Sequence, residues 1–197
     1  MKILESYTLV NRSKRPAKSE IDTIVIHHTG DFNYKGSIAW FKDKTSNVSA
    51  HYIIDLDGII YKIVPESMKA WHAGYSYFEN KYSVNNFSIG IELVGNGNNK
   101  KYTEAQLESL VWLCSDIISR HPKITIDRIV AHSFIRDEYN KRAKKKRDEK
   151  VDPGKYFDWK DFRKRLDLKL NPPTPLKNKS GVSIFSIILK LLKIFSR

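Results

Sequence analysis

The sequence predicts an α/β fold in a single domain, a central mixed β-sheet flanked by helices, with a C-terminal amphipathic helix attached. Three observations carry that expectation. Apolar runs rich in β-branched residues stop abruptly at polar ones in Ile24-Val25-Ile26-His27-His28, Phe87-Ser88-Ile89-Gly90-Ile91-Glu92 and Ile129-Val130-Ala131-His132, as buried strands do when they deliver a side chain to the rim of a sheet. Asp57-Gly58 lies between two further apolar runs and signals a hairpin. Helical spacing then follows Thr103-Glu104-Ala105-Gln106, whose Thr and Gln form a capping box. Strands alternating with helices, plus one hairpin, give a mixed sheet covered by helices.

Taken in order, Thr23 to His28 reads as the first buried strand, central in the sheet, after the polar segment Asn11 to Asp22. Ser37 to Lys42, with Ile38, Trp40 and Phe41, reads as a short helix. His51 to Asp55 and Ile59 to Val64 form the hairpin, with both positions of its tight turn at positive φ. In Phe87 to Val94 the alternation sets Ile89, Ile91 and Leu93 on one face and Gly90, Glu92 and Val94 on the other. Leu107, Leu110, Val111, Cys114, Ile117 and Ile118 carry the longest helix to about Arg120. Arg128 to His132 is another strand, and Asp158 caps a last helix bearing Trp159, Phe162 and Leu166.

At 197 residues and 41% hydrophobic, the chain suits one well-packed domain, residues 1–170, better than two. Asn171-Pro172-Pro173-Thr174-Pro175 opens a linker over 171–181, because proline bars helix and strand continuation. In 182–197, Ser183, Ser186, Lys190, Lys193 and Arg197 recur at steps of three and four among apolar residues, an amphipathic helix with a narrow cationic stripe. Sixteen residues would reach about 24 Å, short of a bilayer, so the segment is expected to lie in an anionic membrane interface or dock on protein.

The net charge of +13 is concentrated: Lys141 to Lys150 and Leu176 to Arg197 carry +5 each. Neither cluster sits beside aromatics or a recognition helix, which argues against nucleic acid as partner. Cys114 is the single cysteine, so there is no internal disulfide framework, and its apolar surroundings suggest a buried thiol. Residues 1–20 are broken by Glu5, Arg12, Lys14, Arg15 and Pro16 and lack the apolar core of a secretory signal. The expected location is the cytoplasm, peripheral to a membrane if the C-terminal helix meets lipid.

The three apolar runs, at their ends, and Lys150-Val151-Asp152-Pro153-Gly154, within it, carry the residue types that a single-zinc hydrolase needs. Two imidazoles and one carboxylate would give zinc three ligands and leave the fourth position to water. A second carboxylate at Glu92, among small and apolar neighbours, would have the raised pKa a general base near neutral pH requires; the alternative is an exposed acid on an edge strand.

On these segments, together with Val48-Ser49-Ala50-His51-Tyr52, Ala70-Trp71-His72-Ala73-Gly74 and Ala131-His132-Ser133, the chain resembles the zinc-dependent N-acetylmuramoyl-L-alanine amidases of the type 2 group, whose fold is shared with peptidoglycan recognition proteins. The matching blocks run in the family's order over about residues 11 to 168. The resemblance implies that His27, His132 and Asp152 bind Zn2+, that Glu92 is the catalytic acid and base, and that Lys150 stabilises the tetrahedral intermediate. Some relatives use a tyrosine just before the position of His51; Ala50 stands there, which places the chain with the glutamate-using branch. Lys144, Lys145 and Lys146 compete with Lys150 for the catalytic role, but only Lys150 keeps the family's offset from Asp152.

The resemblance further implies a substrate of peptidoglycan or muropeptide fragments, cut between the lactyl group of N-acetylmuramic acid and L-alanine, in recycling or in lysis of intact wall by an endolysin. The alternative is a non-catalytic peptidoglycan-binding module, which typically loses a zinc ligand. Trp71 and His72 are expected at the substrate groove. His28, on the opposite face of its strand from His27, is expected beside the substrate or supporting the metal site. His51 is expected to be structural, and His121, before Pro122, to close a helix.

Overall fold

The computed structural model describes residues 1–8, 10–144 and 147–173. The helix expected over 182–197, residues 174–181 of the expected linker, and Lys145 and Lys146 therefore lie outside the described residues.

Among the described residues there are ten short strands and four α-helices: β1 (Ile3–Glu5), β2 (Arg12–Lys14), β3 (Thr23–His28), α1 (Tyr34–Lys42), β4 (Tyr52–Ile54), β5 (Ile60–Lys62), β6 (Met68–Ala70), β7 (Tyr77–Phe78), β8 (Lys81–Tyr82), β9 (Ser88–Leu93), α2 (Glu104–Arg120), β10 (Ile129–Ala131), α3 (His132–Ala143) and α4 (Trp159–Leu170). Six of the strands make one sheet in the order β1-β5-β4-β9-β3-β10, while β2 pairs with β6 and β7 with β8. Only β4 and β5 run antiparallel within it; every other neighbouring pair is parallel. The mixed sheet expected from the sequence is thus present.

Alternation along the strands divides the core. Ile24, Ile26, Ile89, Ile91 and Leu93 pack against Leu110, Leu113, Cys114 and Ile117 of α2 and Phe162 and Leu166 of α4. The opposite face has Val25 and Val130 against Phe87 and Ile135 of α3, and Ile53 and Ile63 against Phe41 of α1. Each such side chain taken fully out of water contributes about 1.5–3 kcal/mol. Helix α2 begins at the expected capping box, with the Thr103 hydroxyl and Gln106 side chain both engaged, and Asp158 accepts from the Asp161 amide at the start of α4. Cys114 is fully buried.

Four expectations need correction. The β4–β5 connection is a five-residue loop in which only Gly58 has positive φ, at 81°, because Asp55 bonds both Gly58 and Ile59 and widens the turn. A side chain at Gly58 would meet the Ala105 carbonyl of α2 at 2.7 Å, so the loop is shaped by helix packing rather than by a two-residue turn. Strand β3 is interior but next to the edge strand β10, and β4 and β9 hold the centre. The polar stretch after His132, which carries no apolar periodicity and suggests no element in the sequence, is helical to Ala143. Finally, β1 and β2 lie in segments without alternating patterns; β1 pairs in parallel with β5 at the sheet edge and β2 antiparallel with β6.

Candidate metal centre and cleft

In a parallel sheet the carboxyl ends of the strands fall on one rim, and that rim is where functional groups collect. His27 is the fifth residue of β3, and Glu92 lies directly opposite it on β9. Paired residues of neighbouring strands share a face, so the imidazole and the carboxyl emerge side by side. His132 follows β10 immediately and opens α3. No side chain caps that helix; the Ser133 amide instead donates to the backbone carbonyl of Asp152, at 3.1 Å. The same contact brings the Asp152 carboxylate beside the two histidines.

The loop bearing Asp152 is docked onto the loop after β9. The Tyr102 hydroxyl donates to the Pro153 carbonyl at 2.7 Å, the Tyr156 amide to the Gly97 carbonyl at 2.9 Å, and the Lys155 amide to Asn98 Oδ1 at 3.2 Å. The approach is so close that a Cβ on Gly97 would stand 1.9 Å from the Pro153 oxygen, and one on Gly154, whose φ is 97°, would stand 2.3 Å from the Gly97 carbonyl carbon. Glycine is required at both positions.

His27, His132 and Asp152 converge with less than a tenth of each surface exposed. His27 Nδ1 is 2.9 Å from Asp152 Oδ2 and 3.1 Å from His132 Nδ1, and His132 Nδ1 is 3.0 Å from the same carboxylate oxygen. Three donor atoms in a triangle of this size could hold a metal ion. Ligands bound tetrahedrally at about 2.0–2.1 Å stand roughly 3.3–3.4 Å apart, slightly more than these separations.

Hydrogen bonding sharpens the fit. On its other side His27 Nε2 is 3.1 Å from His72 Nδ1, and His72 Nε2 is 3.1 Å from Ser88 Oγ. The Ser88 hydroxyl donates to the Val84 carbonyl at 2.7 Å, so Ser88 accepts from His72. His72 then accepts at Nδ1 from His27 Nε2–H. A neutral His27 has no second proton, and its Nδ1 lone pair faces the Asp152 carboxylate. Burial pushes the His27 imidazole down to about 4 despite the neighbouring Asp152, which keeps it neutral near pH 7. A lone pair set against a carboxylate is repulsive unless a cation stands between them.

Burial alone would raise the Asp152 carboxyl, but the nitrogens of His132 and His27 outweigh it and hold the group well below the usual carboxylate range. Glu92 shows the reverse. Burial, with Asp152 nearby and Lys150 only partly offsetting it, pushes the Glu92 carboxyl up to about 8. Its Oε2 is buried and has no hydrogen-bond partner among the described residues. This carboxyl is poised to exchange a proton, and Lys150 shares the wall of the cleft with it.

The cleft has a volume of about 550 Å³ and is lined also by His28, Trp40, Val48, Trp71 and His72. Trp71 is half-buried, with its indole N–H donating to Ser13 Oγ at 3.2 Å. His28 projects from the other side of β3 but, at the strand end, still reaches the cleft; its Nε2 is 3.4 Å from Asn98 Nδ2. His72 has both ring nitrogens engaged inside the protein, which leaves none for a substrate. His51 is fully buried, with Nδ1 accepting from the Gly90 amide and Nε2 beside the Met68 carbonyl, and His121 caps α2 while contacting Glu66. Lys144 is exposed at the end of α3.

Trp40, 54% exposed, lines the cleft rather than joining the apolar face of α1 expected from Ile38, Trp40 and Phe41. The adjacent Trp40 and Phe41 stand about 100° apart on a helix and cannot share one narrow face, a signal that one of them faces outward. The roles of Ser88 and Gly97 carry no such signal, because their partners lie elsewhere in the chain.

A family model described as N-acetylmuramoyl-L-alanine amidase matches residues 17–155. The chain is 36% identical over 166 residues to the 1,6-anhydro-N-acetylmuramyl-L-alanine amidase AmpD of Haemophilus influenzae, covering 76% of this chain and 84% of that protein. It is 40% identical over 119 residues to AmpD of Enterobacter cloacae, spanning 60% of this chain and 57% of that one, and 33% identical over 174 residues to the N-acetylmuramoyl-L-alanine amidase AmiD of Escherichia coli, covering 80% of this chain and 58% of AmiD. Among solved structures, a selenomethionine derivative of AmpD superposes with a TM-score of 0.71 at 30% identity, covering 84% of this chain and 94% of that one. Escherichia coli AmiD, in complex with anhydro-N-acetylmuramic acid-L-Ala-D-gamma-Glu-L-Lys, gives 0.64 at 28% identity, covering 91% and 74%. The matched region spans β3, β9 and β10 and runs through the Asp152–Gly154 turn, and the chain belongs to the N-acetylmuramoyl-L-alanine amidase family.

Proposed function

We propose that the chain is a zinc-dependent amidase that hydrolyses the bond between the lactyl group of N-acetylmuramic acid and the L-alanine of the stem peptide, in peptidoglycan or its muropeptide fragments. The observation that carries this reading is the triangle of His27, His132 and Asp152, with a lone pair and a carboxylate facing each other and Glu92 emerging beside them. A binding-only module would need neither a full donor set nor a buried carboxyl of raised pKa.

His27, His132 and Asp152 would hold the ion. When bound, zinc supplies Lewis acidity to the attacking water and the scissile carbonyl. Glu92 takes the proton from that water at Oε2 and returns it to the leaving amine, a role suited to a carboxyl that burial lifts well above the usual carboxylate range. Lys150 places positive charge where the carbonyl oxygen becomes negative. Trp71 and His28 line the path of the glycopeptide, joined by Trp40, whose exposed ring suits an apolar sugar or peptide face.

Similarity to relatives named for anhydro-muramyl substrates supports soluble anhydro-muropeptides as the first class to test. No helix among the described residues is long and apolar enough to cross a membrane. Residues 182–197 are proposed to rest in an anionic membrane interface, with the enzyme cytoplasmic and peripheral. Unchanged binding to anionic liposomes after their removal would discard that part.

The test of the main proposal is mass spectrometry of products after the zinc-loaded protein meets soluble anhydro-muropeptides and, separately, intact sacculi. Free stem peptide beginning with L-alanine is expected. No release from either substrate, with zinc verified in the sample, overturns it.

A further inference from the structure

We infer that His72 and Ser88 act as positioning residues that set the tautomer of His27 and hold its Nδ1 lone pair on the metal centre; this rests on the metal-binding reading above. The hydrogen bonds have one consistent direction. Val84 offers only a carbonyl, Ser88 donates its single proton there, His72 donates Nε2–H to Ser88, and His27 donates Nε2–H to His72. The other tautomer of His27 would set two lone pairs against each other across 3.1 Å. Ring orientation agrees, since His72 meets His27 edge-on with centroids 5.2 Å apart and planes at 82°.

Strand β9 is built for this arrangement. Ser88, Gly90 and Glu92 occupy alternate positions on one face. Ser88 anchors the far nitrogen of His72, Gly90 makes room for the ring, and Glu92 carries the exchangeable proton. A Cβ on Gly90 would stand 2.4 Å from His72 Cγ, so any side chain there displaces the ring. Asn85 Oδ1 accepts from the His72 and Ala73 amides at 3.1 and 2.8 Å and fixes the backbone of the turn. His72 is not itself a candidate ligand, because it touches His27 on the side away from Asp152. Nor does it have a nitrogen left for a substrate.

Two measurements decide the inference. Long-range proton–nitrogen correlation spectra of the metal-free protein should show both His27 and His72 with the proton on Nε2; a proton on His27 Nδ1 alone would overturn the proposal whatever the protein binds. Zinc dissociation constants, from competition with a chromogenic chelator, should rise about 10–100-fold in His72→Phe. His72→Gln, which keeps an acceptor and a donor, should recover most of that roughly 10–100-fold loss.

Unchanged affinity in a folded His72→Phe, or a His72→Gln as weak as the phenylalanine variant, overturns the proposal. If His72→Phe fails to fold, Ser88→Ala decides, and wild-type affinity with the tautomers unaltered counts against it. If the unsubstituted protein binds no zinc, the metal-binding reading fails, and the spectra still decide the tautomer.

Discussion

His27 and Glu92 enter the cleft from neighbouring parallel strands, whereas Lys150 and Asp152 enter it from a loop between α3 and α4. The first pair is placed by sheet register: a shift of one residue between β3 and β9 would turn either side chain to the opposite face, against a core of isoleucines and leucines. The second pair is placed by contacts made one at a time, among them the Ser133 amide on Asp152, the Tyr102 hydroxyl on Pro153, and the close passage of Gly97 and Gly154. One triangle of donor atoms therefore has a side that resists perturbation and a side that single contacts control.

Breaking the loop-borne side at its end should have the largest effect. Asp152→Ala removes the carboxylate from the triangle, and zinc content measured by atomic spectroscopy is expected to fall to background, with turnover lost and the sheet intact by circular dichroism. Lys150→Ala should leave zinc bound and lower kcat about 10²–10³-fold, the scale of removing one group that stabilises an oxyanion. Equal kcat in that variant would move the charge to another lysine.

Gly154→Ala tests the docking alone. A non-glycine residue at φ 97° costs about 1–3 kcal/mol before the clash with Gly97 is counted. Thermal unfolding should show the loss, and zinc affinity should weaken with it. A stabilised protein with normal affinity would mean that the loop finds Asp152's position without Gly97.

The smallest effect on the metal centre belongs to Glu66, whose side chain touches none of the three donor residues. Burial alone would raise its carboxyl, but the Arg120 guanidinium, the Tyr52 hydroxyl and His121 outweigh that and hold it at about 2. A depressed folded pKa stabilises the protein above the unfolded value near 4.5, and that stability is lost as pH falls toward 2. Glu66→Gln should therefore cost up to about 3 kcal/mol at pH 7 and flatten acid unfolding between pH 4.5 and 2, with zinc affinity unchanged. Reduced zinc affinity would show that the two ends of the molecule are not independent.

The same division governs what could be read from the sequence. Runs such as Ile24 to His28 and Ile89 to Glu92 announce both a buried strand and the polar residue it delivers, because alternation and burial act locally. The capping residues Thr103 and Asp158 are legible for the same reason. The α3 helix was hidden because Arg136, Asp137, Glu138 and Asn140 give it little apolar periodicity; Ile135 alone is a fully buried hydrophobe in it. Its N-terminus depends on the Asp152 carbonyl, 20 residues away. His72 does line the cleft, but its hydrogen bonds to Ser88 and His27 could not be read from its short motif, because those partners come from distant strands. Long-range hydrogen bonds leave no local pattern.

The most direct test of the central claim, that strand and loop assemble one catalytic metal centre, is zinc content and turnover of Glu92→Gln measured on the same sample. About one zinc per chain is expected, with kcat lowered about 10²–10⁴-fold, as for loss of a general base. Turnover equal to that of the unsubstituted protein, with zinc bound, would contradict it.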